Sequence, residues 1–586
     1  MGDDNITNLP SQQEIEKDIS EYLAKKYGDR VKIVGLHAQP EFEVQETGET
    51  RETGNQEPAY LDFSIKPEEL CAYLDEYVIR QDEAKAILST KICTHFNRTR
   101  NSLAHPMQAK RTVGQIKNNV LLIGPTGVGK TFLIKLIAKR LGVPFIKGDA
   151  TKFSETGYVG GDVEDLIRDL VREAGDDLES AEYGIIYIDE IDKIAAVPNL
   201  LGADVSRSGV QRALLKPMEE TEVDLKVPHD PVSQIEAIEH YRATGKRQRR
   251  LVNTKNILFI MSGAFFELED IVKKRLQKQT IGFEGDVTSK KGASSYLKHV
   301  KAEDLIQYGF ESEFIGRLPV IANLNELSIN DLYDILQNPN SSVVVSKKLD
   351  FLAYDIRIQF EDDALMEIAQ KAVEERTGAR GLVSVMERAL LPFEKKLPST
   401  DIKYLSINKE LVQDPRRELN RLLSGPEHRS FHEDQYHLLA QEEHARLQEL
   451  IIKKRQKYLH EHDVVATPTM LNLMARQCQD QVLDISDVCE IFVETLKHIK
   501  ECEKNISAKC GIHVTFSGDA IERILARHPL TQSAISTLCE TLTGAFENGF
   551  GLLQQKKGLD QVVIPASGVD NPELYINDLV RITFKE

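Results

Sequence analysis

The sequence predicts an α/β fold: a mostly parallel sheet flanked by helices, then a smaller α+β unit and a mainly helical remainder. Three observations point there. Residues 66–322 alternate helical stretches with the apolar runs NVLLIG, PFIKGD, GIIYIDE, NILFIMSG and PVIANL. The first run feeds a glycine-rich loop, GPTGVGKT at Gly124–Thr131, which opens into the helix-like stretch FLIKLIAKRL. The third run ends in two carboxylates, Asp189 and Glu190. Apolar runs without polar alternation are what strands covered on both faces require.

The loop carries the first chemistry. Gly127 and Gly129 let the backbone wrap a phosphate, and the following helix N-terminus adds partial positive charge. Pro125, Thr126 and Val128 complete the cradle. Lys130 is spaced to reach β- and γ-phosphates, and the Thr131 hydroxyl to ligate magnesium. A chance glycine turn would explain this loop alone, but not a second motif downstream. There Asp189 would share the magnesium shell with Thr131, and Glu190 would polarise the attacking water. An apolar run ending in Asp-Glu is by itself more often a strand reaching a solvated loop. Together the motifs predict an ATP hydrolase with ATP and Mg2+ as cofactors.

At 586 residues the chain exceeds a single core, so three or four domains are expected. The expected divisions are an N-terminal segment and linker (1–60), a large nucleotide-binding domain (61–324), a small α+β domain (325–410), a helical region (411–510) and a final module (511–586). Hydrophobic residues make up 41% and charged residues 28%, ordinary for a globular chain. No apolar stretch reaches the length of a membrane span, and the acidic first residues carry no signal or transit pattern. The seven cysteines form no CxxC pair, which predicts reduced thiols, a cytoplasmic location and no zinc site. A formal net charge of −18 disfavours nucleic acid as the main partner.

A weak internal repeat closes the chain. Residues 356–365, IRIQFEDDAL, align without gaps with 512–521, IHVTFSGDAI, and the register continues from Leu382 to Leu538. Two generic strand–helix elements would also look this way; a degenerate second copy of the small module is the favoured reading. Between the copies, 433–461 reads as a long charged helix with Tyr436, Leu439, Leu447, Leu450, Ile451 and Tyr458 on one face, expected to pack on its own domain.

From about Tyr77 to Lys409 the chain resembles the ClpX family of AAA+ protein unfoldases, ring hexamers that feed the ClpP peptidase. The motifs that carry the resemblance are YVIRQDEAK, GPTGVGKT, GYVGGDVED, YIDEIDK, SGVQRALLK, ILFIMSGAF, IGF, EFIGRLPV and RTGARGL, in that order. The related HslU shares several, but the space between Asp189 and Ser262 is too short for its inserted domain. The resemblance implies an adenine wall at Val78 and Ile79, an arginine finger at Arg317 and a sensor 2 arginine at Arg380. It puts Ser262 at the sensor 1 place. It also implies a pore loop at Gly157, Tyr158, Val159 and Gly160 that grips unfolded polypeptide, and a peptidase-docking tripeptide at Ile281, Gly282 and Phe283. Residues 241–250, with five cationic side chains, align roughly with the family's basic loop at the pore entrance; a solvated charged loop is the competing reading.

The departures are equally specific. The family's N-terminal zinc module needs four cysteines, and the first here is Cys71. Pro217 interrupts a usually continuous helical segment, and the repeat copy has Ser536 in the place of Arg380. Nothing after about residue 410 has a counterpart in the family. The expectation is therefore an ATP-driven unfoldase and translocase, a homo-hexamer acting on protein substrates with a ClpP-like peptidase. The alternatives are a remodelling chaperone without a peptidase, or a nucleic-acid motor.

Overall fold

The structure is a computed structural model and describes residues 65–105, 117–153, 162–196, 205–225, 250–280, 294–462, 464, 466–527, 532–557 and 561–585. The pore-loop residues 157–160, the basic cluster at 241–249 and the tripeptide Ile281–Phe283 lie outside the described residues, as does the segment before residue 65.

The first described helices, α1 (Pro67–Tyr77) and α2 (Asp82–Ala104), precede a five-stranded parallel sheet. Its strands are β1 (Val120–Ile123), β2 (Phe145–Asp149), β3 (Ile185–Asp189), β4 (Leu258–Gly263) and β5 (Val320–Asn323), in the spatial order β2-β3-β4-β1-β5. Every pairing is parallel. All five strands are those expected from the apolar runs. The burial pattern explains why they were readable: β1 and β4 are buried along their whole length.

Alternate residues of each strand feed two cores. Val120, Leu122, Ile185, Tyr187, Leu258 and Ile260 pack with α1, α2 and α3 (Lys130–Leu141). Leu121, Ile123, Ile186, Ile188, Phe259 and Met261 pack with α4 (Glu164–Glu173) and α5 (Val205–Met218) on the opposite face. α3 starts at the phosphate loop and stops where Gly142 turns left-handed at φ +67°, with Val143 N–H donating back to Ala138 O. α5 contains Pro217 as its penultimate residue, so the proline sits where the helix ends at Met218.

The small α+β unit holds α6 (Ile329–Gln337), α7 (Ser342–Leu352), β6 (Arg357–Phe360), α8 (Asp362–Glu374), α9 (Ala379–Lys396) and β7 (Tyr404–Ile407). β6 and β7 pair in parallel, joined through two helices. Its core is continuous with the α1–α2 face of the large sheet.

The remainder is mainly helical. α10 (Pro426–Glu461) is followed by α11 (Pro468–Gln481) and α12 (Ile485–Cys510). Then come β8 (His513–Phe516), α13 (Gly518–Arg527), α14 (Gln532–Lys557), β9 (Gln561–Ile564) and α15 (Pro572–Lys585). α10 is seven residues longer at its start than the charged stretch suggested, because Pro426 supplies the pre-set first turn. It is fixed to β7 by His432, whose ring nitrogen meets Ser406 Oγ at 2.9 Å, and by Tyr436 against the ring of Tyr404. Leu447 and Ile451 are buried in a core built from α10, α11, α12 and α14. In that core Phe492 is 1% exposed, and Phe492→Ala would cost about 3–5 kcal/mol. β8 and β9 pair in parallel across α13 and α14, the same strand–helix–helix–strand order as β6 to β7.

The expectation of reduced thiols fails at one pair. Packing of α12 on α14 brings Cys502 and Cys539 together as a disulfide, Cα atoms 5.6 Å apart and 37 residues apart in sequence. The sequence offers no close spacing that would reveal this. Among the described residues no helix is long and apolar enough to cross a membrane.

Candidate functional site

A cavity of about 440 Å³ opens between the large sheet and the small unit, within the range of nucleotide-sized pockets. Its floor is the phosphate loop. Gly127 has φ +74° and Gly129 φ +95°, a region side chains rarely adopt. At Gly127 a Cβ would also lie 2.0 Å from Thr377 O. That close approach is functional in form: Ala379 N–H donates to Gly127 O at 2.8 Å, so the first turn of α9 is tied to the loop. Arg380, the next residue, thereby lines the cavity although it belongs to the small unit.

Lys130 Nζ donates to Gly124 O at 2.6 Å and Pro125 O at 2.8 Å. Burial pushes its pKa down to about 8, against Asp189 and Asp192, which hold it up. Thr131, Asp189, Glu190, Thr126, Val128, Val78 and Ile79 all line the same cavity.

The carboxylate end is a directed chain of hydroxyls. Ser262 Oγ donates to Asp189 Oδ1 at 2.6 Å, and Tyr187 Oη lies 2.6 Å from Ser262 Oγ. Thr131 Oγ1 lies 3.1 Å from Tyr187 Oη and 3.4 Å from Asp189 Oδ2. An ionised carboxylate only accepts, so the protons run Thr131 to Tyr187 to Ser262 to Asp189. Lys147 on β2 pairs with Asp189 Oδ2 at 2.9 Å. Burial pushes the Asp189 carboxyl up, but Ser262 and Lys147 outweigh it and hold the pKa below the ordinary value. Thr131 keeps its lone pairs while its proton is committed. Thr131 Oγ1 and Asp189 Oδ2 lie 3.4 Å apart at the cavity, a hard-oxygen pair that would suit a cation completing its shell with phosphate oxygens and water, with Lys147 now on the same Oδ2. Glu190 follows in a left-handed turn, φ +58°, and is exposed to the cavity mouth.

Among the described candidates, Pro125, whose carbonyl instead accepts from Lys130, and Arg317 are not in the cavity wall. Arg317 is half-exposed, ion-paired with Glu219 of its own chain, and absent from the cavity wall. Three contributors were missed. Lys147 reaches Asp189 only through strand pairing, which sets it opposite Tyr187, and Tyr187, on the same strand as Asp189, is linked to it through Ser262 of the paired β4. Tyr77 lines the cavity at the end of α1; its one signal was its position immediately before Val78.

A phosphate loop after β1, a strand ending in Asp-Glu (β3) set one strand away across β4, and a small-domain arginine at the same cavity define an AAA+ ATPase. The AAA domain (Cdc48 subfamily) matches residues 115–321, and the C-terminal, D2-small domain of ClpB protein matches 327–396. The ATP-dependent Clp protease ATP-binding subunit ClpX of Treponema denticola is 40% identical over 351 residues, 59% of this chain and 81% of that protein. The ClpX subunits of Borrelia duttonii and Borrelia recurrentis are each 40% identical over 357 residues, 59% of this chain and 78% of theirs. The chain belongs to the ClpX family of Clp ATPases.

Proposed function

We propose that this ATPase is a protein unfoldase and translocase that works as a ring hexamer, the ATP-binding subunit of a Clp-type protease. The observation that carries the reading is the Ala379–Gly127 hydrogen bond, which puts the small unit's α9 directly on the phosphate loop. Any change at the phosphates is then felt by the angle between large and small units, the motion that a threading motor requires. The name shared by the ClpX relatives supports the peptidase partnership.

In this reading the 126–129 backbone and Lys130 bind the phosphates, and Val78 and Ile79 face the base. Thr131 and Asp189 hold Mg2+, which when bound neutralises charge between the β- and γ-phosphates. Glu190 orients the attacking water, and Arg380 reports nucleotide state to the small unit. Arg317 acts on the neighbouring subunit's site. Tyr158 grips polypeptide, and an aromatic ring can push on any side chain, which suits a motor indifferent to sequence. Residues 511–586 are a degenerate copy of the small unit, without its arginine.

The test is ATP-dependent loss of fluorescence from a tagged, stably folded fluorescent protein. Wild type should unfold it, Glu190→Gln should bind ATP and not unfold, and Tyr158→Ala should keep ATPase activity while unfolding slows. Equal loss of both activities in Tyr158→Ala would remove the pore role. Stimulation of the ATPase by DNA and not by unfolded protein would favour a nucleic-acid motor instead.

A further inference from the structure

The helical extension reaches the wall of the nucleotide cavity. Tyr77 Oη donates to Asp484 Oδ2 at 3.1 Å and lies 3.4 Å from Ser486 Oγ, both at the start of α12. One residue earlier, Glu76 is paired with Arg455 of α10 at 2.6 Å, each side chain only 17% exposed. Arg455 also donates to Ser486 Oγ, so one guanidinium ties α1 to both α10 and α12. The Glu76 carbonyl accepts from Asn338 Nδ2 at 2.8 Å, and the nearby Asn340 and Ser341 form another part of the cavity wall. Residues 76–79 are thus held from the extension on one side and from the end of α6 on the other.

We propose that Arg455, with Asp484 and Ser486, positions the Tyr77–Ile79 wall for nucleotide binding, so that the extension sets affinity for ATP without touching it. This rests on reading the cavity as the ATP site. The energetic argument starts from burial. A paired Glu76 is tolerated, but removing Arg455 takes away the strongest of the cations acting on this part-buried carboxylate and leaves only Lys454 and Arg140 against its desolvation. Its cheapest relief is for the end of α1 to turn towards water, which carries Tyr77, Val78 and Ile79 away from the cavity. The groups assigned to hydrolysis, Asp189 and Glu190, sit on another element, β3 and the turn after it. The effect should therefore fall on binding and leave turnover of bound nucleotide alone. Other links between extension and core are not at the cavity wall: Arg357 pairs with Asp480 at 2.7 Å and Lys348 with Glu443 at 2.7 Å, and none of the four lines that cavity. They provide the comparison that separates positioning from general anchoring.

The experiment uses the full chain and a fluorescent N-methylanthraniloyl-ATP probe, alongside steady-state ATPase and melting temperature. Arg455→Met should raise Kd and KM about tenfold while kcat stays within about twofold. Arg455→Lys should restore most of the affinity, and Glu76→Gln in the Arg455→Met background should recover it by removing the stranded charge. Ser486→Ala, which leaves the Asp484 cap of α12 in place, should weaken binding about threefold and covers the case in which Arg455→Met does not fold. Arg357→Gln should leave Kd unchanged. Unchanged Kd in Arg455→Met and Ser486→Ala, with binding lost in Lys130→Ala, would overturn the inference and leave the site reading standing. Equal weakening in Arg357→Gln would also overturn it, as anchoring alone would then suffice. Intact probe binding in Lys130→Ala would overturn both.

Discussion

Ser262 Oγ donates to Asp189 Oδ1 at 2.6 Å, joining the end of β4 to the end of β3 at the cavity where the phosphate loop lies. The bond is nearly dry, since Ser262 is fully buried. A hydrogen bond to an ionised group in such surroundings is worth about 1.5–3 kcal/mol, more than a neutral one. It also fixes which carboxylate oxygen is left for other partners. Lys147 takes Oδ2, close to Thr131 Oγ1.

Ser262→Ala removes that donor and frees the Asp189 carboxylate to rotate. ATP turnover should fall by about tenfold to a hundredfold with nucleotide binding retained, as the bond's strength implies. Ser262→Thr keeps a hydroxyl and should restore most of kcat. Measured kcat equal to wild type in Ser262→Ala would show the bond idle. The sign for acid stability is also fixed. The folded Asp189 pKa is depressed, so its contribution is present above the unfolded value of about 3.9 and is lost as pH falls through the folded one. Ser262→Ala should move that loss to higher pH.

Lys130 gives a pH dependence of binding. Burial holds its pKa near about 8, whereas triphosphate would favour the ammonium form. Affinity for ATP should be flat below about pH 8 and weaken above it by up to about tenfold per pH unit, with proton uptake on binding. In the nucleotide-free chain the unfolded state binds more protons between about pH 8 and about 10.4, so the cost of burying Lys130 is full below that window and fades as pH rises through it. Lys130→Arg, always charged, should lose the inflection even if it binds more weakly. Titration of Kd from acid to alkaline buffer, with calorimetry in two buffers of different ionisation heat, reads both effects. A Kd independent of pH in the wild type would refute the assignment.

Arg317 is paired with Glu219 within its own chain and lies away from the cavity. Both side chains are half-exposed, so the pair is weak and easily exchanged. If Arg317 serves a neighbour's site, Arg317→Ala and Glu190→Gln subunits are each inactive alone but complementary. Mixed rings contain interfaces where an intact Arg317 meets an intact Glu190. ATPase activity of the mixture should exceed that of both parents, and a mixture no better than either parent would remove the assignment.

How much of this was legible follows the physics of each feature. Strands buried on two faces must be apolar throughout, so VLLI, IIYID and LFIMSG announced themselves. Gly127 and Gly129 were legible because both have left-handed backbone that favours glycine, and Gly127 must also admit the close approach of Thr377. Lys147 was not, since it reaches Asp189 through strand register and carries no motif of its own. Tyr77 and Asp484 are separated by 407 residues and meet only because α10 to α12 fold back on α1. The disulfide was hidden for the same reason. Arg455 read as one cation among many on a charged helix, and its burial is a product of packing.

The last prediction concerns the tripeptide Ile281-Gly282-Phe283. In sequence the tripeptide falls between the described helices Leu268–Thr280 and Ser294–Leu297. Its sequence neighbours, KKRLQKQT before and EGDVTSKKGASS after, are polar. Two large apolar side chains in such a setting are costly to leave in water, and a hydrophobic cleft on a partner would relieve that cost. Gly282 between them would let the pair adapt to a cleft. Several weak contacts on one ring would act together, so binding could be tight although each contributes little. Phe283→Ala should therefore leave ATPase and unfolding within about twofold of wild type while abolishing ATP-dependent degradation by a ClpP-type peptidase, the signature of a lost docking contact alone. Retained degradation would mean that Phe283 folds back on its own chain. Absence of any ATP-dependent association between wild type and such a peptidase would make the peptidase-free chaperone the better reading.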